Sequence, residues 1–215
     1  MYLFSRKLVE IFIRSKYRAV IHNREKIPPK KTAKKGGFII ACNHQFYWDP
    51  PVVSAFVKGR FSFMAKSELF EKKLFAMLIK ACGAFPVTRG GGGDEAIQRA
   101  LDDLAKGKIF VIFPEGTRSK DGTIGRGKSG VALIASMADV PVLPVCLMYG
   151  LKGKKKRLDF AVGDMIPASE LKIQDPQDRK ELKRVSETVM GAIRALQQQI
   201  FETVGADGNL PETKA

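Results

Sequence analysis

Short apolar runs, each passing through a polar loop into a segment with helical spacing, restrict the fold of this chain more than any other feature. Phe38-Ile39-Ile40-Ala41, Phe61-Ser62-Phe63-Met64-Ala65, residues 84–87, 109–113, 140–147 and 158–162 read as strands. Residues 50–57, 68–81, 95–106, 129–138 and 176–202 carry helical patterns between or after them. Strands alternating with helices predict an α/β fold, with a largely parallel central sheet flanked by helices. At 215 residues and 45% hydrophobic content the chain suits one such domain. The 68–81 pattern, capped by Ser67, places Leu69, Leu74, Met77, Leu78 and Ala81 inward. The 95–106 segment follows a capping Asp94, and 176–202 follows Asp175 with Pro176 in its first turn.

Residues 2–20 read as an amphipathic helix. Phe4, Leu8, Ile11, Phe12 and Ala19 line one side, and Arg6, Glu10, Arg14 and Arg18 form a polar stripe. Such a helix either packs on the domain's own core or lies in the headgroup region of a bilayer. The expected organisation is thus an N-terminal helix within 1–25, a domain over 26–205 and a frayed tail at 206–215. No apolar run approaches the roughly 20 residues a spanning helix needs. Arg6, Lys7, Glu10 and Arg14 break any signal-peptide core.

The net charge is +15, from 37 basic and 22 acidic residues. That implies an anionic partner, whether nucleic acid, an anionic membrane surface or a phosphorylated substrate. Basic runs without interleaved aromatics, and no recognition motif, argue against nucleic acid. Lys152, Lys154, Lys155, Lys156 and Arg157 form a cluster that is either a solvated turn or a contact for anionic lipid. Cys42, Cys82 and Cys146 sit in apolar runs without framework spacing and are expected as reduced, buried thiols. No Cys or His pair has the spacing of a metal site, and no cofactor is expected.

Two loops after strands carry candidate chemistry. Cys42-Asn43-His44-Gln45-Phe46-Tyr47-Trp48-Asp49-Pro50 follows the 38–41 run and holds one of only two histidines. Pro50-Pro51 forces residue 49 to be extended and lets a helix begin at 50. The loop can then bring the Asp49 carboxylate to the His44 ring. A carboxylate on one imidazole nitrogen fixes the tautomer and leaves the other as a general base. The plainer alternative makes Asp49 only a helix cap and His44 only a hydrogen-bonded loop residue. Phe113-Pro114-Glu115-Gly116-Thr117-Arg118-Ser119 follows the second such strand. Gly116 permits a turn that exposes backbone donors, Arg118 supplies a fixed charge, and Glu115 can orient Arg118 or a substrate hydroxyl.

Asn43-His44-x4-Asp49 and Phe113-Pro114-Glu115-Gly116-Thr117-Arg118-Ser119 resemble the first and third motifs of the glycerolipid acyltransferases. Gly83-Ala84-Phe85-Pro86-Val87-Thr88-Arg89 resembles the second, and Val140-Pro141-Val142-Leu143-Pro144-Val145 the fourth. Within that group the chain resembles the bacterial 1-acylglycerol-3-phosphate (lysophosphatidic acid) acyltransferases. The resemblance covers about half the chain, residues 43–145, and the third motif is its most specific part.

What the resemblance implies is transfer of a fatty acyl group from acyl-CoA or acyl-carrier protein to the free hydroxyl of lysophosphatidic acid, giving phosphatidic acid. His44, oriented by Asp49, would be the base. Asn43, Lys66, Arg89, Glu115, Gly116, Thr117, Arg118 and Lys128 would hold the substrates. The implied place of action is the cytoplasmic face of the cell membrane, as a peripheral (monotopic) protein. The acceptor alcohol serves as nucleophile, in keeping with the absence of a Gly-x-Ser-x-Gly elbow. Two positions depart from the family: Phe46, where Ser is frequent, and Gly127, where Phe usually precedes the lysine.

The stretch Gly122-Thr-Ile-Gly-Arg-Gly127-Lys128-Ser129 fits the pattern of a nucleotide-binding loop. That loop needs a strand running straight into its first glycine, and here the third motif intervenes. The fourth motif is apolar enough to be core alone or to line an acyl-chain groove. The bulky Phe46-Tyr47-Trp48 run could alter the acceptor or acyl pocket, so another lysophospholipid or an aminoacyl lipid is the alternative acceptor. A non-catalytic basic module binding a membrane or nucleic acid is the second class of function, and it would be indifferent to loss of His44.

Overall fold

A computed structural model describes Ile11, Ile13 and residues 15–29, 37–87, 93–152 and 155–206. Among these residues, seven strands form one sheet: β1 (Tyr17–His22), β2 (Phe38–Cys42), β3 (Phe61–Lys66), β4 (Ala84–Val87), β5 (Ile109–Ile112), β6 (Val142–Lys152) and β7 (Lys155–Val162). The order is β1-β7-β6-β2-β5-β3-β4. Every neighbouring pair is parallel except the β6–β7 hairpin. The helices are α1 (Asp49–Phe56), α2 (Lys73–Ala81), α3 (Gly93–Ala105), α4 (Gly130–Ala138) and α5 (Arg179–Ala206).

All five residues of β2 are buried, as its unbroken apolar run requires of a strand covered on both faces. Alternation along β2 sends Ile39 and Ala41 into a core with Leu104 of α3, Ile134 of α4 and Val189 of α5. Phe38, Ile40 and Cys42 point into the opposite core, with Val52 and Val53 of α1 and Ile79 of α2. The three cysteines are free and buried, as expected.

This layering places the site. β2 and β5 are adjacent and parallel, with Ile39 level with Phe110, so their C-terminal loops emerge side by side. The chain leaves β2 into α1 on one face and leaves β5 towards α4 on the other. A parallel sheet opens a crevice at such a switch point.

Four expectations change. The helix expected over 2–20 does not reach residue 20, because Tyr17–His22 form β1, an edge strand paired in parallel with β7. Tyr17, Ala19 and Ile21 turn towards the second core with the period of a strand. The domain therefore begins before residue 26. Of the remainder of that helix, Ile11, Ile13, Ser15 and Lys16 are helical, and residues 1–10, 12 and 14 lie outside the described residues.

Second, the 68–81 segment is not one helix. A tighter turn, Ser67–Phe70, and a bend at Glu71 and Lys72 precede α2. The change of pitch rotates the face, so Ala76 and Ile79 are buried while Leu74 and Met77 are 81% and 57% exposed.

Third, the last helix starts at Arg179 rather than 176. The Asp178 carboxylate accepts the Lys180 N–H at 2.7 Å, so Asp178 and not Asp175 closes its first turn. Fourth, β6 runs past 147 to Lys152 and meets β7 from Lys155, which makes the basic cluster part of a hairpin. Lys154 of that cluster and the neighbouring Gly153 lie outside the described residues, as does the tail from 207.

Candidate active site

Asn43 leaves the end of β2 with its side chain buried. Its Oδ1 accepts the Leu147 N–H at 2.7 Å and its Nδ2 donates to the Leu147 carbonyl at 2.9 Å. The amide thus imitates one more strand residue and ties the loop to β6. Both polar atoms of this side chain thus have backbone partners within the fold.

His44 follows, and its Nδ1 lies 2.8 Å from Asp49 Oδ2. The same oxygen accepts the backbone N–H groups of Gln45 (2.6 Å) and Phe46 (2.8 Å). Asp49 Oδ1 accepts the Tyr149 hydroxyl at 2.7 Å. Asp49 is fully buried at the first residue of α1, yet its carboxylate does not cap that helix. It turns back into the loop instead, and the plain capping alternative falls. An ionised carboxylate only accepts, so the network assigns the ring proton to Nδ1 and leaves a lone pair on Nε2. Phe113 stacks on the imidazole at 4.2 Å, which fixes the ring plane.

The third motif is bonded to the first in both directions. The His44 N–H donates to Glu115 Oε1 at 2.9 Å, and the Ser119 N–H donates to the His44 carbonyl at 2.7 Å. Glu115 Oε2 accepts the Gly125 N–H at 3.0 Å. Glu115 is buried, and its two oxygens brace two loops. The expected orientation of Arg118 by Glu115 is replaced by a different contact: the guanidinium sits 3.6 Å over the Tyr47 ring. A cation over an aromatic face is worth about 0.5–1 kcal/mol at an exposed site. Thr117 and Arg118 are both exposed on this rim.

Gly116 has φ +68, a conformation that resists other residues. A Cβ there would stand 2.9 Å from Lys128 Cε and Nζ, so the Lys128 ammonium lies directly against this turn. Lys128 also donates its backbone N–H to the Pro114 carbonyl at 2.8 Å. The structure therefore groups His44, Asp49, Glu115, Gly116 and Lys128, with Arg118 joined through Tyr47. Lys66 is exposed at the end of β3, the strand beside β5, with its ammonium 3.9 Å from Glu68. Arg89 lies outside the described residues.

The pattern at 122–129 is not a phosphate cradle. β5 ends at Ile112, and Phe113–Asp121 separate it from Gly122. A Cβ at Gly127 would meet Met190 Cγ at 2.6 Å and Ser186 Oγ at 2.7 Å, so this backbone is pressed onto α5. That contact explains the glycine. Gly127→Phe, which installs the residue frequent in the family, should lower stability by about 1–3 kcal/mol, as overpacking does. Thermal denaturation would register it as a lowered Tm.

The sequence pattern marks Tyr47 only as part of the bulky Phe46-Tyr47-Trp48 run and Phe113 only as the start of the third motif, and it gives Tyr149 no role. The one signal for Tyr149 was a hydroxyl-bearing residue in the apolar run Cys146-Leu147-Met148-Tyr149, on the same strand face as Leu147.

His44, bonded to the buried Asp49 carboxylate, thus sits at the switch point of a mostly parallel sheet. Residues 18–148 match the Acyltransferase family, and the chain belongs to it. It is 34% identical over 178 residues to the 1-acyl-sn-glycerol-3-phosphate acyltransferase of Streptococcus pneumoniae, a match covering 80% of this chain and 64% of that one. The enzyme of the same name from Bacillus subtilis is 27% identical over 206 residues, 93% of this chain and 98% of the relative. The crystal structure of the 1-acyl-sn-glycerophosphate (LPA) acyltransferase from Thermotoga maritima shares the fold, with a TM-score of 0.67. It is 24% identical, over 92% of this chain and 79% of its own.

Proposed function

We propose that this protein is a 1-acylglycerol-3-phosphate O-acyltransferase, moving a fatty acyl group from acyl-CoA or acyl-carrier protein to lysophosphatidic acid. The observation that carries the reading is the His44 imidazole, bonded through Nδ1 to a buried carboxylate with Nε2 left as a base. Nε2 takes the proton of the acceptor hydroxyl as its oxygen attacks the thioester carbonyl. When the tetrahedral intermediate collapses, the carbon–sulfur bond breaks and the imidazolium returns the proton to the leaving thiolate. The products are phosphatidic acid and a free thiol, with His44 neutral again. Positioning is a large share of such a barrier reduction. It falls to the cations on this rim, Arg118, Lys128 and Lys66, with Arg89 joining them on the family motif.

The surroundings suit a lipid substrate. Ile13, Phe46, Trp48, Pro51 and Tyr149 line a small apolar hollow next to the Asp49 loop. The fourth motif itself, from Val142 to Val145, is central-strand core. Phe46, Tyr47 and Trp48 are about half exposed beside the site, and Leu74 and Met77 are exposed on α2 among Lys72, Lys73 and Lys80. Apolar residues flanked by lysines suit peripheral attachment to an anionic membrane, on its cytoplasmic face, where acyl donors are available. Among the described residues no helix is long and apolar enough to cross a membrane.

The test is incubation of purified protein with lysophosphatidic acid and each donor in turn. Phosphatidic acid and thiol should form in equal amounts, and faster than products from zwitterionic lysolipids. No phosphatidic acid with either donor, or preference for a zwitterionic acceptor, would overturn the named acceptor. Arg118→Ala should raise KM for lysophosphatidic acid about 10- to 100-fold, the equivalent of one charge-assisted contact of roughly 1.5–3 kcal/mol. Its effect on KM for the acyl donor should be small.

A further inference from the structure

We infer that Tyr149 is a positioning residue for the base, holding the free oxygen of Asp49 and setting the basicity of His44. The inference rests on the proposed role of His44. Oδ2 of Asp49 is saturated by the His44 ring and two amides, and among the described residues Oδ1 has one neutral donor, the Tyr149 hydroxyl, in a fully buried place. That donor is fixed from two sides. Phe46 meets the Tyr149 ring edge-on at 4.6 Å, and Tyr17 meets it at 5.6 Å. Phe46 is also the residue whose N–H binds Oδ2, so one loop residue clamps the carboxylate and its hydroxyl partner together. This gives the bulky residue at position 46 a function where serine is frequent in the family.

Burial and the charge of Asp49 push the Tyr149 hydroxyl far above the ordinary phenol range, so it keeps its proton and always donates. A donor on Oδ1 draws charge away from the oxygen that faces His44. The imidazolium is then less favoured than it would be beside a carboxylate without that donor. The other groups facing the pair are Tyr17 from β1, Cys42 from β2 and Glu115 from the loop after β5. That loop carries four cations, Arg118, Lys120, Arg126 and Lys128, of which Lys128 lies against the Gly116 turn and Arg118 over Tyr47. Burial, then Asp49, raises both Tyr17 and Cys42, which therefore stay neutral.

Tyr149→Phe removes the donor and keeps the ring. The His44 titration midpoint, followed by NMR of the imidazole in the full-length protein, should rise by about half a pH unit. The acid limb of kcat/KM should rise with it. A site-specific 3-fluorotyrosine at position 149, a stronger donor, should move the midpoint down. In an Asp49→Asn background, Tyr149→Phe should move it no further. A midpoint unmoved or lowered by Tyr149→Phe would overturn the inference, as would a rise that persists without the Asp49 charge. A wild-type protein without acyl transfer would sink the proposed function, whereas the titration would still decide the role of Tyr149.

Discussion

His44→Ala is expected to lower kcat with lysophosphatidic acid by about 10³-fold or more while the protein still folds. General base catalysis contributes on the order of 10²–10⁴ in rate, and the loss includes the orientation of the acceptor hydroxyl by Nε2. The fold should tolerate the change, because the ring stacks on Phe113 at the rim and is not part of either core. Truncation also leaves Asp49 Oδ2 with two backbone donors and Oδ1 with Tyr149, so no bare buried charge results. Circular dichroism and a Tm within a few degrees of wild type would show that the loss is chemical. Retained turnover would remove His44 from the chemistry and require another group as the base.

Glu115→Ala should damage stability and activity together. The carboxylate accepts the backbone N–H groups of His44 and Gly125, and the residue is buried. Leaving two backbone donors without partners costs about 1–3 kcal/mol each where water cannot reach them. For a protein of this size, each kcal/mol lowers Tm by roughly 2–4 °C. The His44 backbone would lose its tether to the third motif, so kcat should fall at least about tenfold as the base drifts from its hydroxyl. Glu115→Gln keeps one acceptor oxygen and should lie between wild type and alanine on both scales. A residue that only bound substrate would change KM and leave the Tm alone.

The parts of this site that are legible in the sequence are those encoded locally. His44 and Asp49 lie five residues apart, close enough for one loop to join them, although Asp49 is already the first residue of α1 rather than the extended residue that Pro50-Pro51 predict. Central strands such as Phe38–Cys42 declare themselves by unbroken apolar character. Asn43 and Glu115 carry structural bonds that no pattern announces, because their partners are backbone atoms of Leu147, His44 and Gly125, and backbone atoms leave no mark in a pattern. Tyr149 is hidden because a hydroxyl in an apolar strand looks like core until the topology aims it at Asp49. The Ser67–Phe70 turn shifts the helical phase from which Leu74 and Met77 are read. β1 joins the sheet through β7, a partner more than 130 residues away, so the amphipathic run leading into it reads as uninterrupted helix.

Everything proposed for the chemistry depends on which nitrogen of His44 carries the proton. Long-range proton–nitrogen NMR of the full-length protein near pH 8, with His44 assigned by its loss in His44→Ala, reads this directly. The expected spectrum has a protonated, pyrrole-type Nδ1 and a bare, pyridine-type Nε2. A proton on Nε2 would leave no lone pair for the acceptor hydroxyl and would contradict the mechanism outright.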